Sequence, residues 1–169
     1  TYVIPLANPD GVDNGHWRHN NGGIDLNRDW GDFNQPETAA IRDFVKYTVD
    51  SAGGKILFFI DFHSTLEDIY YVHRAEEDGQ EPDLVDKLIQ LTGDEFPDYK
   101  PNVKSLSDGS NTIITSDSYF SVTYGAHALT YEVGDNTSRD FIRKKGAVSA
   151  MKLMELLNEA NADSFANAK

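Results

Sequence analysis

The chain has 169 residues, 39 % of them hydrophobic and 25 % charged, which suits a globular domain with its own core. Its formal net charge of −13 argues against nucleic acid or an anionic membrane surface as partner, since both select basic patches. The absence of cysteine excludes disulfides and thiolate metal ligands, so any metal must be held by His, Asp or Glu.

In chain order, residues 1–7 (TYVIPLA) read as a buried strand. Residues 8–34 read as a long loop with turn dipeptides Asp10-Gly11 and Asn14-Gly15, and a loop of that length in a compact domain is usually functional. Pro36 opens a helix, with Glu37 near its positive end. Ile41, Phe44, Val45 and Thr48 or Val49 share one face, and Gly53-Gly54 stops the helix. KILFFIDFHS (55–64) is a nearly continuous apolar run and predicts a central strand buried on both faces. DIYYVH (68–73) predicts a second strand, followed by an acidic loop at 76–81. A helix is expected from Pro82 to about Phe96, a polar loop over 97–117 and a short helical turn from Ser118 to Tyr124. HALTYEVG (127–134) predicts a strand. The closing helix is expected from about Arg139 to Asn161, with Ala147, Val148, Met151, Met154 and Leu157 inward. Strands alternating with helices predict an α/β fold, a mixed and mostly parallel central sheet flanked by helices. Ligands bind such sheets at the carboxyl ends of strands, where His63 and Glu132 both fall. No apolar run reaches the roughly 18 residues a membrane helix needs. The sequence therefore predicts a soluble protein, cytoplasmic or exported, and leaves its oligomeric state open.

Four groups of residues could carry chemistry. His63, at the mouth of a buried strand, is either a satisfied core histidine or a metal ligand or base. Asp61 shares its face and could be its partner. Glu132 enters an apolar strand, which is costly unless the carboxylate is paired or used, so it is either a strand-end Glu facing water or a general base. Arg18 and Arg28 stand ten residues apart on one loop. Their rigid donor forks suit a carboxylate or an oxyanion, but also the many acidic side chains of this chain. Asn27 adds an amide donor beside Arg28.

The ordered set NPDG (8–11), WRHNNGGIDLNR (17–28), DFHS (61–64) and TYEVG (130–134) resembles the zinc carboxypeptidase family, M14. The resemblance spans roughly Asn8 to Gly134. It implies a zinc-dependent metallocarboxypeptidase that hydrolyses the C-terminal peptide bond of peptides or proteins. By the same resemblance His63 is the third ligand of one Zn2+ ion, and Glu132 is the base that takes a proton from the attacking water. Arg18 polarises the scissile carbonyl and stabilises the oxyanion. Asn27 and Arg28 clamp the terminal carboxylate of the substrate. Asp25 orients a zinc-bound His.

The family supplies its first two ligands as a His-x-x-Glu pair well upstream of the Asn-Pro-Asp-Gly turn. The resemblance therefore implies that residues 1–169 are the C-terminal part of a single catalytic domain, with two further ligands expected upstream. The internal His73–Glu76 and His63–Glu67 pairs are poor substitutes, since the first leads into the acidic loop and the second lies in a turn. Residues 103–117 lack the tyrosine that many family members place ahead of the catalytic Glu. Asp117, in the stretch that usually selects the leaving side chain, would favour basic ones. Two other functions fit the residues. One is an acyl-amino-acid amidohydrolase of the desuccinylase or aspartoacylase type, and the other an inactive module that binds peptide C-termini.

Overall fold

The computed structural model describes residues 1–72, 83–106 and 113–166, with side chains through residue 159. In chain order the elements are α1 (Pro9–Asp13), a 3-10 turn (Leu26–Arg28), α2 (Pro36–Ala52), β1 (Phe58–Thr65) and β2 (Ile69–Val72). They continue with α3 (Leu84–Asp94), β3 (Val103–Ser105), α4 (Ser116–Tyr124), β4 (His127–Gly134) and α5 (Arg139–Ala166). The chain forms two compact units, one made of Thr1–Phe59 with Ser110–Ala126 and the other of Ile60–Gly109 with His127–Lys169.

In the first unit, turn chemistry sets the path of the loop. The Asn8 side chain caps α1, accepting from Gly11 N at 3.0 Å and donating to His19 O at 3.0 Å. Asp25 caps the 3-10 turn by accepting from Asn27 N at 3.0 Å. Pro36 sits at the first turn of α2 as expected, and Gly53, with φ of +59°, closes it in the left-handed region that glycine enters without strain. Asp29, only 4 % exposed, collects Asn34 N and Gln35 N at 2.9 Å each, and the Thr38 hydroxyl. Burial pushes this carboxyl up, but those three hydrogen bonds together hold it below the usual carboxylate value. The apolar centre is aromatic. Trp30 lies 5.5 Å from Tyr119 and Phe33 lies 5.0 Å from Tyr119, while Phe59 stacks on Phe120 at 3.8 Å.

The second unit carries the sheet, in the order β1-β4-β2-β3. β2 pairs antiparallel with β4, with Ile69 opposite Glu132 and Tyr70 opposite Tyr131. It pairs parallel with β3. The carboxyl ends of β1 and β4 lie side by side, joined by Asp135 N to Thr65 O at 2.8 Å and Asn136 N to Leu66 O at 3.2 Å. These two strands therefore run in the same direction, and the sheet is mixed and mostly parallel, as the sequence predicts. Val85, Leu88, Ile89 and Thr92 are the buried residues of α3, which packs on α5 and β4.

On one face of this sheet a charge is buried among rings. Lys145 of α5 is 2 % exposed. Its Nζ bonds Asp68 Oδ2 at 2.5 Å and lies 4.6 Å from the Tyr99 ring and 4.7 Å from the Tyr131 ring. Ion pairing and ring faces together compensate the lost hydration. Burial pushes Lys145 below the usual lysine value, with Asp68 pulling the other way. Burial also raises the phenols, Tyr70 to about 12 and Tyr99 and Tyr131 upward as well.

Several expectations differ from the structure. Residues 1–7 form no strand among the described residues, and Tyr2, Val3, Ile4 and Leu6 are exposed. Among the described residues no strand offers this run a ladder, and Pro5 removes one donor. Among the described residues β1 lies at one end of the sheet rather than in its centre, and Phe62 is 66 % exposed. β3 forms inside the expected 97–117 loop. The buried face of α5 carries Lys145 and Leu156, whereas Met151 and Met154 are exposed, because the Asp68 contact turns Lys145 inward. Along α2 only Thr38 is buried and Phe44 is exposed. The His73–Glu76 pair, the 76–81 stretch, Pro82 and Gly109 lie outside the described residues.

Candidate functional site

The six candidate site residues fall into two groups, one in each unit. In the second unit, β1 and β4 carry His63 and Glu132 near their carboxyl ends. The Phe62 and Tyr131 rings touch, edge to face, with centroids 6.0 Å apart. Since side chains alternate along a strand, Asp61, His63 and Glu132 occupy the opposite face together. His63 Nε2 lies 3.0 Å from Asp61 Oδ2, and both side chains are about one-third exposed, at 32 % and 29 %. The carboxylate thus orients the imidazole. Glu132 Oε2 is buried without a hydrogen-bond partner among the described residues. A buried carboxylate oxygen left without a donor is expensive, and such groups concentrate where a protein does chemistry.

In the first unit, the loop between α1 and α2 holds the other four. Arg18 Nη1 pairs with Asp25 Oδ2 at 3.1 Å, and its guanidinium lies 4.8 Å from the Trp17 ring centroid. Arg18 is half exposed, so the pair orients the guanidinium more than it stabilises the fold. Asp25 is engaged twice, by Arg18 and by Asn27 N. Asn27 Oδ1 accepts from Ser116 N, the first residue of α4, at 2.9 Å. That bond fixes which end of the amide is the donor. Arg28 Nη1 donates to Asn27 O at 2.7 Å. The segment from Asp25 to Arg28 is therefore one tight turn that presents an amide and a guanidinium side by side.

Residues of lesser promise are also placed. His16, Trp17 and His19 line an open hollow of about 460 Å³. Asp117 is 1 % exposed. Its Oδ1 accepts from Ser118 N at 2.9 Å and from the Thr115 hydroxyl, which commits it to the start of α4. The anchor of Asn27 on Ser116 has no signal in the sequence, because 89 residues separate the two.

Among the described residues, no group of three His, Asp or Glu side chains is gathered to hold a metal ion. Among them, too, no helix is long and apolar enough to cross a membrane.

Comparison with solved structures finds the same fold. A metallo-carboxypeptidase from Burkholderia cenocepacia superposes with a TM-score of 0.65 at 21 % identity, over 96 % of this chain and 44 % of that one. A metallo-carboxypeptidase from Pseudomonas aeruginosa, in complex with (2-guanidinoethylmercapto)succinic acid, gives 0.61 at 22 % identity over 94 % and 46 %. Bovine thrombin-activatable fibrinolysis inhibitor, in complex with tick carboxypeptidase inhibitor, gives 0.66 at 17 % identity over 94 % and 69 %. The chain thus spans a little under half the length of the two bacterial proteins. The family profile described as zinc carboxypeptidase matches residues 1–166. With that match over nearly its whole length, the chain belongs to the zinc carboxypeptidase family.

Proposed function

We propose that residues 1–169 are the C-terminal part of a single catalytic domain that removes the last residue from peptides or proteins with a free C-terminus. The observation that carries this reading is the shared sheet face of His63 and Glu132, with Asp61 on the imidazole and a buried carboxylate oxygen awaiting a donor.

The proposed roles follow the chemistry of each side chain. Asn27 and Arg28, adjacent donors on one turn, bind the terminal carboxylate of the substrate. Arg18, oriented by Asp25, meets the negative charge that develops on the scissile carbonyl oxygen. Glu132 takes a proton from the attacking water and returns it to the leaving amine. His63 would be one ligand of a zinc ion with two further ligands supplied upstream, and Asp25 would orient a zinc-bound His. When bound, zinc supplies a Lewis acid and lowers the pKa of water.

The full-length protein should be tested on a hippuryl-type blocked dipeptide, on the same dipeptide amidated at its C-terminus, and on N-acetyl and N-succinyl amino acids. Release of the last residue from the free acid alone supports the proposal. Preferential cleavage of the N-acyl amino acids would replace it with an amidohydrolase, and binding without cleavage with a peptide-binding module.

A further inference from the structure

Behind the face that carries His63 and Glu132, the second unit holds the buried cluster around Lys145. We propose that Asp68 is a positioning residue for that face: its carboxylate locks the turn after β1 to the end of β4 through Tyr131, and so sets the placement of His63 and Glu132. The inference rests on the peptidase reading above for its effect on turnover, but not for its geometry.

Three observations carry it. First, Asp68 accepts from three donors on three separate segments. Tyr131 OH of β4 donates at 2.6 Å, Tyr99 OH at 2.8 Å and Lys145 Nζ of α5 at 2.5 Å. Hydrogen bonds to a charged, partly buried acceptor are the strong ones. Second, Tyr131 immediately precedes Glu132. Holding the Tyr131 phenol on one face holds the Glu132 carboxylate on the other, because successive strand side chains point oppositely. Third, the turn and the strand end are in close contact. A Cβ added at Gly134 would stand 2.6 Å from Asp68 N and 3.0 Å from the Glu67 carbonyl carbon. Thr65 and Leu66 accept from Asp135 and Asn136 beside it. His63 is two residues before that contact and Glu132 two residues before Gly134, so a shift of the turn moves both.

The two tyrosines provide the test. Tyr131→Phe and Tyr99→Phe each remove one phenol hydroxyl from the same carboxylate, but only Tyr131 lies on β4. In the full-length protein, Tyr131→Phe should lower kcat about tenfold with KM unchanged, since a small misplacement of catalytic groups acts on the chemical step. Tyr99→Phe should leave kcat within about twofold while lowering the melting temperature comparably. Amide hydrogen exchange should speed up over residues 131–136 in Tyr131→Phe and not in Tyr99→Phe. Equal effects of the two variants on kcat and on exchange, or no effect of either, would overturn the proposal. Should the wild type show no peptidase turnover, the functional reading fails and the exchange comparison alone decides the positioning role.

Discussion

Phe62 and Tyr131 meet edge to face across β1 and β4, and this contact marks one face of the sheet. It turns His63 and Glu132 to the other face, where Glu132 keeps a buried oxygen without a hydrogen-bond partner among the described residues. The proposed base serves turnover and not the fold. Glu132→Gln in the full-length protein should keep its melting temperature and its metal, and lower kcat by about 10²–10⁴. Steady-state kinetics beside metal analysis checks this, and surviving activity would remove Glu132 from the role of base.

Arg18 and Arg28 should fail differently. Arg28 shares a tight turn with Asn27, and its proposed target carries its charge before and after the reaction. Arg28→Ala should raise KM for free-acid peptides by about 10- to 100-fold, the cost of a lost hydrogen bond to a charged group. Arg18, held by Asp25, is proposed to meet a charge that appears only in the transition state. Arg18→Ala should lower kcat by about 10²–10³ with a smaller change in KM. The reverse pattern would exchange the two roles.

Asp29 ties the loop to α2 and should make the protein sensitive to acid. Its carboxyl binds protons more weakly folded than unfolded. The resulting stability is present above the ordinary carboxylate value near 4 and is lost as pH falls through the lower folded value. Asp29→Asn should destabilise the protein by about 1–3 kcal/mol at neutral pH and weaken this acid dependence below about pH 4. Urea melts at several pH values measure both. An unchanged acid limb would mean that other carboxylates govern it.

At alkaline pH the buried phenols take over. Tyr70, Tyr99, Tyr119 and Tyr131 all hold their protons more tightly in the folded protein, chiefly through burial. The stability this gives is complete below about pH 10, the ordinary phenol value, and is lost as pH rises toward and through about 12, the value for Tyr70. Lys145 works the other way, since burial weakens its hold on a proton, but it is one group against four. Phenolate absorbance should therefore rise in two stages, with about four of the eight tyrosines appearing only as circular dichroism is lost. A single stage near pH 10 with the fold intact would contradict this.

Gly134 is needed where the β1–β2 turn meets β4. Gly134→Ala places a methyl group within contact of backbone on the turn and should cost about 1–3 kcal/mol, read as a lower urea midpoint. An unchanged midpoint would mean that the turn can move away freely.

Local signals in the sequence foretold what local physics decides. Pro36 and Gly53 bound α2, and the apolar runs of β1, β2 and β4 appear within a few residues of their predicted positions. Contacts between distant segments were not legible. β3 is three residues long and exists because β2 offers it an edge. The buried face of α5 includes Lys145, whose charge suggests solvent until Asp68, 77 residues away, is seen to accept from it. The site residues themselves stood out as single candidates, each with an ordinary structural reading. What the sequence could not supply was the shared face of His63 and Glu132, which depends on how β1 and β4 pair, and the Ser116 anchor that sets the Asn27 amide.

The most direct test of the zinc peptidase reading is release of the C-terminal residue from a blocked dipeptide by the full-length protein, before and after a chelator and then with zinc restored. The account predicts that the chelator abolishes release, that about one equivalent of zinc restores it, and that His63→Ala recovers neither the metal nor the activity. Release that persists in the chelator, or in His63→Ala, would contradict it.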